Sequence, residues 1–240
     1  MAGFMLPQKS RTRQITMAAV LAAVYFVLRS VPTFEMVGLS ARFTAGDFIL
    51  PAIAMIAGPW AGAVSVIIGT IIGYAVRPPI FFGIDFLPGA VNVVVLGFVL
   101  SDRRQAARAT YAAVLAVFLL SPYSLLFGYA QIPYTWLHII AFIVLISPVA
   151  AKLPVWLKLN ETHQLFSVVI LAFIGTMVQH LTGGLLYEVA TGYVGGIDPR
   201  TFQQFWRVIF WLYPVERLII VAVSTFIAAG LYRTIRQMHL

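Results

Sequence analysis

Residues 46–76 read GDFILPAIAMIAGPWAGAVSVIIGTIIGYAV, two apolar runs that meet at Gly58–Pro59 and carry one charged residue, Asp47. Glycine suits the end of one helix. Proline suits the first position of the next, where the missing N–H would be unpaired anyway. The stretch predicts an antiparallel helical hairpin, apolar enough to lie in a bilayer.

Six further apolar segments flank this pair. The full set is 15–31, 46–57, 59–76, 86–100, 109–126, 134–151, 165–189 and 205–232. A straight crossing takes about 20 residues. Segments 46–57 and 86–100 fall short of that and could be half-buried helices, so six to eight spans are expected. Composition agrees: 61% of the 240 residues are hydrophobic, 10% are charged and the mean hydropathy is +0.93. A water-soluble domain carries roughly 25% charged residues. The expected fold is all-α, a polytopic transmembrane helical bundle forming one integral membrane domain over 1–240, multi-pass in the cell membrane. The 18 Gly and 13 Pro fit this setting, because neighbouring helices re-satisfy freed backbone groups in membrane bundles. The first run follows Lys9, Arg11 and Arg13 and lacks a small-residue cleavage site and a polar mature region after it, so it reads as a retained first span.

The loops set an orientation. With a cytoplasmic N-terminus and eight crossings, the inner side holds Lys9, Arg11, Arg13, Arg103, Arg104, Arg108, Lys152, Lys158, Arg233 and Arg236. The outer side holds Arg29, Arg42, Arg77, Arg200, Arg207 and Arg217, and most of the acidic residues. Ten against six places both termini in the cytoplasm by the positive-inside rule. The net charge of +8 is thus explained by topology, and no nucleic-acid partner is expected.

Cysteine is absent, which excludes disulfides, thiolate metal sites and cysteine nucleophiles. The H-E-x-x-H, G-x-S-x-G and P-loop patterns are missing, and histidines 138, 163, 180 and 239 are dispersed. No enzyme activity, metal or cofactor is expected. Polar groups within spans are costly in lipid and become candidates for function. They are Asn92, Gln179, His180, Glu188, and the adjacent Glu216 and Arg217, which are expected to pair with other helices. His180 and Glu188 fall near one helical face. Asp47 opens the second segment, where its carboxylate either caps the helix or, with Arg42, faces a pocket under the preceding loop. Tyr74, Tyr187, Tyr193, Trp206, Trp211 and Tyr213 are either interfacial anchors or stacking partners for a flat ligand. The expected substrate-binding set is Arg42, Asp47, Arg77, Asn92, His180 and Glu188, and Arg42 with Arg77 favours an anionic ligand. In the first segment Ala18 and Ala22 share one helical face, with Ala19 and Ala23 one position round. Small residues at four-residue spacing let two helices approach closely, inside the chain or against another subunit.

Several of these features together resemble the substrate-binding S component of an energy-coupling factor (ECF) vitamin transporter. They are the alanine-rich first helix, RFTAGDFILPAIA at 42–54, the GPWAG turn at 58–62 with its Gly-spaced helix, the Pro-Gly-Ala-x-Asn segment at 88–92, and the closing YPVERLIIVAVSTFIAAGL. The likeness is strongest over 9–100 and 205–232. The family has six spans, so segments in 109–151 represent an added pair. The resemblance implies a membrane subunit that binds a vitamin-like micronutrient from outside without hydrolysing ATP. It implies a membrane scaffold subunit docked on Ala18, Ala19, Ala22 and Ala23, and two ATPase subunits. Two other readings are a stand-alone secondary transporter, with Glu188, His180 or Glu216 coupling an ion, and an intramembrane enzyme acting on a lipid-linked substrate.

Overall fold

The computed structural model describes residues 10–35 and 42–238; Lys9, His239 and the loop portion 39–41 lie outside them. Among the described residues the chain is all-α apart from one small antiparallel ribbon. Helix α1 (Arg11–Ser30) starts where Ser10 Oγ accepts from Arg13 N. Strands β1 (Pro32–Glu35) and β2 (Arg42–Thr44) pair antiparallel and lead into α2 (Gly46–Gly73). Helices α3 (Leu87–Leu100), α4 (Arg104–Leu120), α5 (Trp136–Ile146) and α6 (Pro148–Trp156) come next. Helix α7 (Glu161–Tyr187) widens into a π-helical stretch, Glu188–Val194. Helices α8 (Pro199–Ile209) and α9 (Leu212–Met238) complete the chain.

Among the described residues, three helical stretches are long and apolar enough by length and composition alone to cross a bilayer: Gly46–Gly73, which bends back on itself, Glu161–Val194 and Leu212–Gln237. The outer surface agrees with lipid contact, because Ile15, Val20, Val117, Phe166, Leu218 and Phe226 all stand exposed around it. Helix α2 is reversed at Gly58, whose φ of 73° and ψ of −172° suit glycine alone. A straight helix of its length would run about 42 Å. Instead, the Cβ positions of Gly46 and Gly73, near its two ends, lie 3.3 Å from Arg29 Cα and 3.8 Å from Arg29 Cδ. The arms 46–57 and 59–73 thus fold back as the hairpin expected at Gly58–Pro59. Each is shorter than the ~30 Å hydrocarbon core.

Two expected segments break. Segment 134–151 turns by 71° at Ser147, which caps α6 through Val149 N, with Pro148 in its first turn. Segment 205–232 breaks near Phe210–Trp211. Its first part belongs to the separate helix α8, capped by Asp198 through Arg200 N and Thr201 N. That helix buries Phe202 and Trp206 and exposes Arg200, Gln204 and Arg207, so it is amphipathic where a span would be apolar all round.

Contacts sort the chain ends of these helices into two poles. At one, the Gly58 turn meets Gly97 of α3, Arg108 donates to Ile146 O, Arg236 donates to Leu159 O and Arg233 pairs with Glu161. The basic loop 101–108 lies there. At the other are Arg29, the β-ribbon, the 77–86 loop, α8 and the start of α9. The core is rich in fully buried aromatics, including Tyr25, Tyr111, Phe118, Tyr134, Phe202, Phe210 and Tyr213.

Candidate solute-binding cavity

The pole opposite the basic loops holds a cavity of about 520 Å³, within the ~300–1,000 Å³ range of small-molecule sites. Its wall comes from every element at that pole. Helix α1 gives Tyr25 and Arg29; the ribbon gives Arg42, Phe43 and Thr44; the 77–89 stretch gives Arg77, Phe81 and Asp85. Helix α7 gives Gln179, His180 and Tyr187, α8 gives Phe205 and Trp206, and α9 gives Glu216 and Arg217.

One hydrogen-bonded chain ties the ribbon, α2, α7 and α3 together. Asp47 Oδ2 accepts from Thr44 N at 2.9 Å, and Asp47 Oδ1 accepts from Gln179 Nε2 at 2.6 Å. Gln179 Oε1 in turn accepts from Asn92 Nδ2 at 2.9 Å. Asp47 therefore does not cap α2 in the usual direction. Its carboxylate reaches back to the ribbon and across to α7, and Ala45, at the cap position, makes no side-chain cap bond. Asp85 closes the neighbouring loop in the same manner, accepting from Ile80 N at 2.8 Å and Phe81 N at 3.1 Å.

Four of the six expected binding residues, Arg42, Asp47, Arg77 and His180, line the cavity. Asn92 is buried one bond behind it, through Gln179. Glu188 lies outside the lining, buried against Ser124, whose hydroxyl donates to Oε1 at 2.8 Å while Oε2 has no partner. Helix geometry explains the split. At about 100° per residue, Tyr187 falls some 20° from His180 around the helix and Glu188 some 80°. Arg42 pairs with Glu35 at 2.9 Å on an exposed edge of the ribbon.

No family model, curated protein or solved structure matches this chain.

The chemistry of the cavity is therefore its own testimony. His180 Nδ1 lies 3.0 Å from His138 Nε2, and Tyr213 stacks near both rings. Arg217 is buried, lies 3.8 Å from Glu216 Oε2 and holds its guanidinium 4.2 Å from the centre of the Phe43 ring. Glu216 and Arg217 were expected to reach for other helices; their side chains instead meet each other, and Arg217 also meets the ribbon. Arg29, Tyr25 and Asp85 line the cavity without having stood out in the sequence. Arg29 closes an apolar helix, where a basic residue reads as a topology signal, and its role emerges only from the two ends of α2 meeting it. Among the described residues no group of three or more His, Asp or Glu converges as a metal site.

The alanine face divides. Ala18 and Ala22 are buried in the chain's own interior, and the Cβ position of Gly69 lies 2.7 Å from Ala22 O. Ala19 and Ala23 are exposed. Close approach is thus used within the monomer at Ala22, and only the second pair is open to another helix.

Proposed function

We propose that this chain is the substrate-binding membrane subunit of an ECF-type importer, which takes a small organic solute from outside and releases it inward when ATPase-driven partners act. The observation that carries this reading is the cavity's position, at the pole away from the basic loops. With the basic loops cytoplasmic by the positive-inside rule, the cavity opens outward. The helix runs between the two poles are consistent with eight passes and with both termini inside, and the short arms of α2 and the short α3 stand where a tilted or half-buried pass is expected. On this reading ATPase partners supply the energy; the sequence itself carries no P-loop pattern. The sequence resemblance to S components supplies those partners: a membrane scaffold, against the exposed Ala19 and Ala23 side of α1, and two ATPase subunits.

A stand-alone carrier is the second reading, favoured by one observation: the buried carboxylate of Glu188, with an unpartnered oxygen inside the bundle. Reconstitution separates the two. The chain alone in liposomes binds solute without moving it on the first reading. Uptake by the chain alone, driven by a pH gradient, would contradict it.

A further inference from the structure

Resting on the reading of the cavity as a solute site, the arginines say what the solute carries. Arg217 is 5% exposed, lines the cavity and makes no hydrogen bond among the described residues; its Nε has no partner. Its nearest carboxylate oxygen, on Glu216, is at 3.8 Å, too far for a hydrogen bond, and Phe43 offers only a ring face. A guanidinium has five N–H donors and keeps its charge in proteins, so burying one without an acceptor is costly. Arg29 and Arg77, half-buried in the same wall, pair with no carboxylate among the described residues. The acids of the cavity do not supply the missing acceptors. The oxygens of Asp47 accept from Thr44 and Gln179, those of Asp85 accept from the N–H groups of Ile80 and Phe81, and none of them accepts from Arg217, Arg29 or Arg77 among the described residues. Arg42 is already held by Glu35. The rest of the wall is aromatic, with Phe43, Phe81, Tyr187, Phe205 and Trp206.

We infer that the cavity takes a flat, ring-bearing organic anion whose carboxylate or phosphate accepts hydrogen bonds from Arg217, with Arg29 and Arg77 completing the cationic wall and the aromatic side chains packing on the ring. The fork of Arg217 matches two oxygens of either group, which is why an oxyanion fits it better than a lone carbonyl.

The test uses the full chain in detergent at neutral pH and measures its melting temperature against three probes. They are pyridine-3-carboxylate, its neutral isostere pyridine-3-carboxamide, and phenyl phosphate. A bound ligand raises the melting temperature in proportion to its occupancy. At least one of the two anions should stabilise the protein at a concentration about tenfold lower than the amide requires, and which one responds tells carboxylate from phosphate. Arg217→Met should fold with a melting temperature equal to or above that of the wild type and should lose the preference for the anion. If Arg217→Met does not fold, Arg217→Lys decides, and is expected to keep a weakened preference. An equal or stronger response to the amide, a response to none of the probes, or an unchanged preference in the folded Met or the Lys variant would overturn the assignment. A neutral or cationic molecule carried through purification would overturn it too, and leave the solute-site reading standing.

Discussion

Asp47 does at the residue scale what neither a cap nor a lone ligand would do. Its two oxygens join the ribbon above the cavity to α7 behind it, and through Gln179 to Asn92 of α3. Asp47→Asn replaces one acceptor oxygen with an N–H₂ that faces another donor. The expected cost is about 1–3 kcal/mol, and solute affinity should fall with it, measured by thermal unfolding and binding. A melting temperature within error of the wild type would show that the chain of bonds does not hold these elements. Ala22 gives a second prediction. Its carbonyl side is pressed on Gly69, so Ala22→Trp overpacks the monomer and should destabilise it by about 1–3 kcal/mol. Ala23→Trp, one residue on and exposed, should fold and bind solute normally yet fail to co-purify with a scaffold subunit. What the sequence could show at this scale was the polar residues inside spans. It could not show that Arg217 meets Phe43 of the ribbon, because that contact spans two elements whose relative placement depends on the whole bundle. Nor could it separate His180 from Glu188, since an 80° offset is decided by which neighbours flank the helix.

At the element scale the legible signals were those written in backbone chemistry. Gly58–Pro59 marked the reversal of α2 because glycine tolerates the required φ and proline suits the first turn of the second arm. Gly58→Ala is expected to cost about 1–3 kcal/mol from backbone strain alone, since nothing lies within 4 Å of the added methyl. Thermal unfolding checks it, and an unchanged stability would mean that the turn can relax into another conformation. The break at Ser147–Pro148 carried a similar signal inside a run of uninterrupted hydropathy, and apolarity outweighed it. The boundary between α8 and α9 carries a weaker mark: FWL at 210–212 continues the apolar run, and Pro214 comes only in the first turn of α9. There the amphipathic pattern of PRTFQQFWRVI was the available clue, and it identifies α8 as a helix lying at the cavity rather than as part of a crossing.

For the whole molecule, apolar composition made a membrane bundle legible, and the basic loops set only an expected direction. The cavity was not legible, because it is assembled from α1, the ribbon, the 77–89 stretch, α7, α8 and α9, which no local pattern brings together. The absence of cysteine makes orientation easy to probe. Arg103→Cys, in the basic loop, should react with a membrane-impermeant maleimide only in inverted vesicles, and Thr201→Cys, at the start of α8, only in intact cells. The reverse pattern would turn the cavity inward and remove the basis of uptake from outside. Whether the chain is a binding subunit is decided by purifying it alone and identifying by mass spectrometry the small molecule that comes with it. A binding subunit should carry one bound organic solute per chain and show no uptake when placed in liposomes without partners. An empty protein that transports on its own, without ATP, would contradict that role.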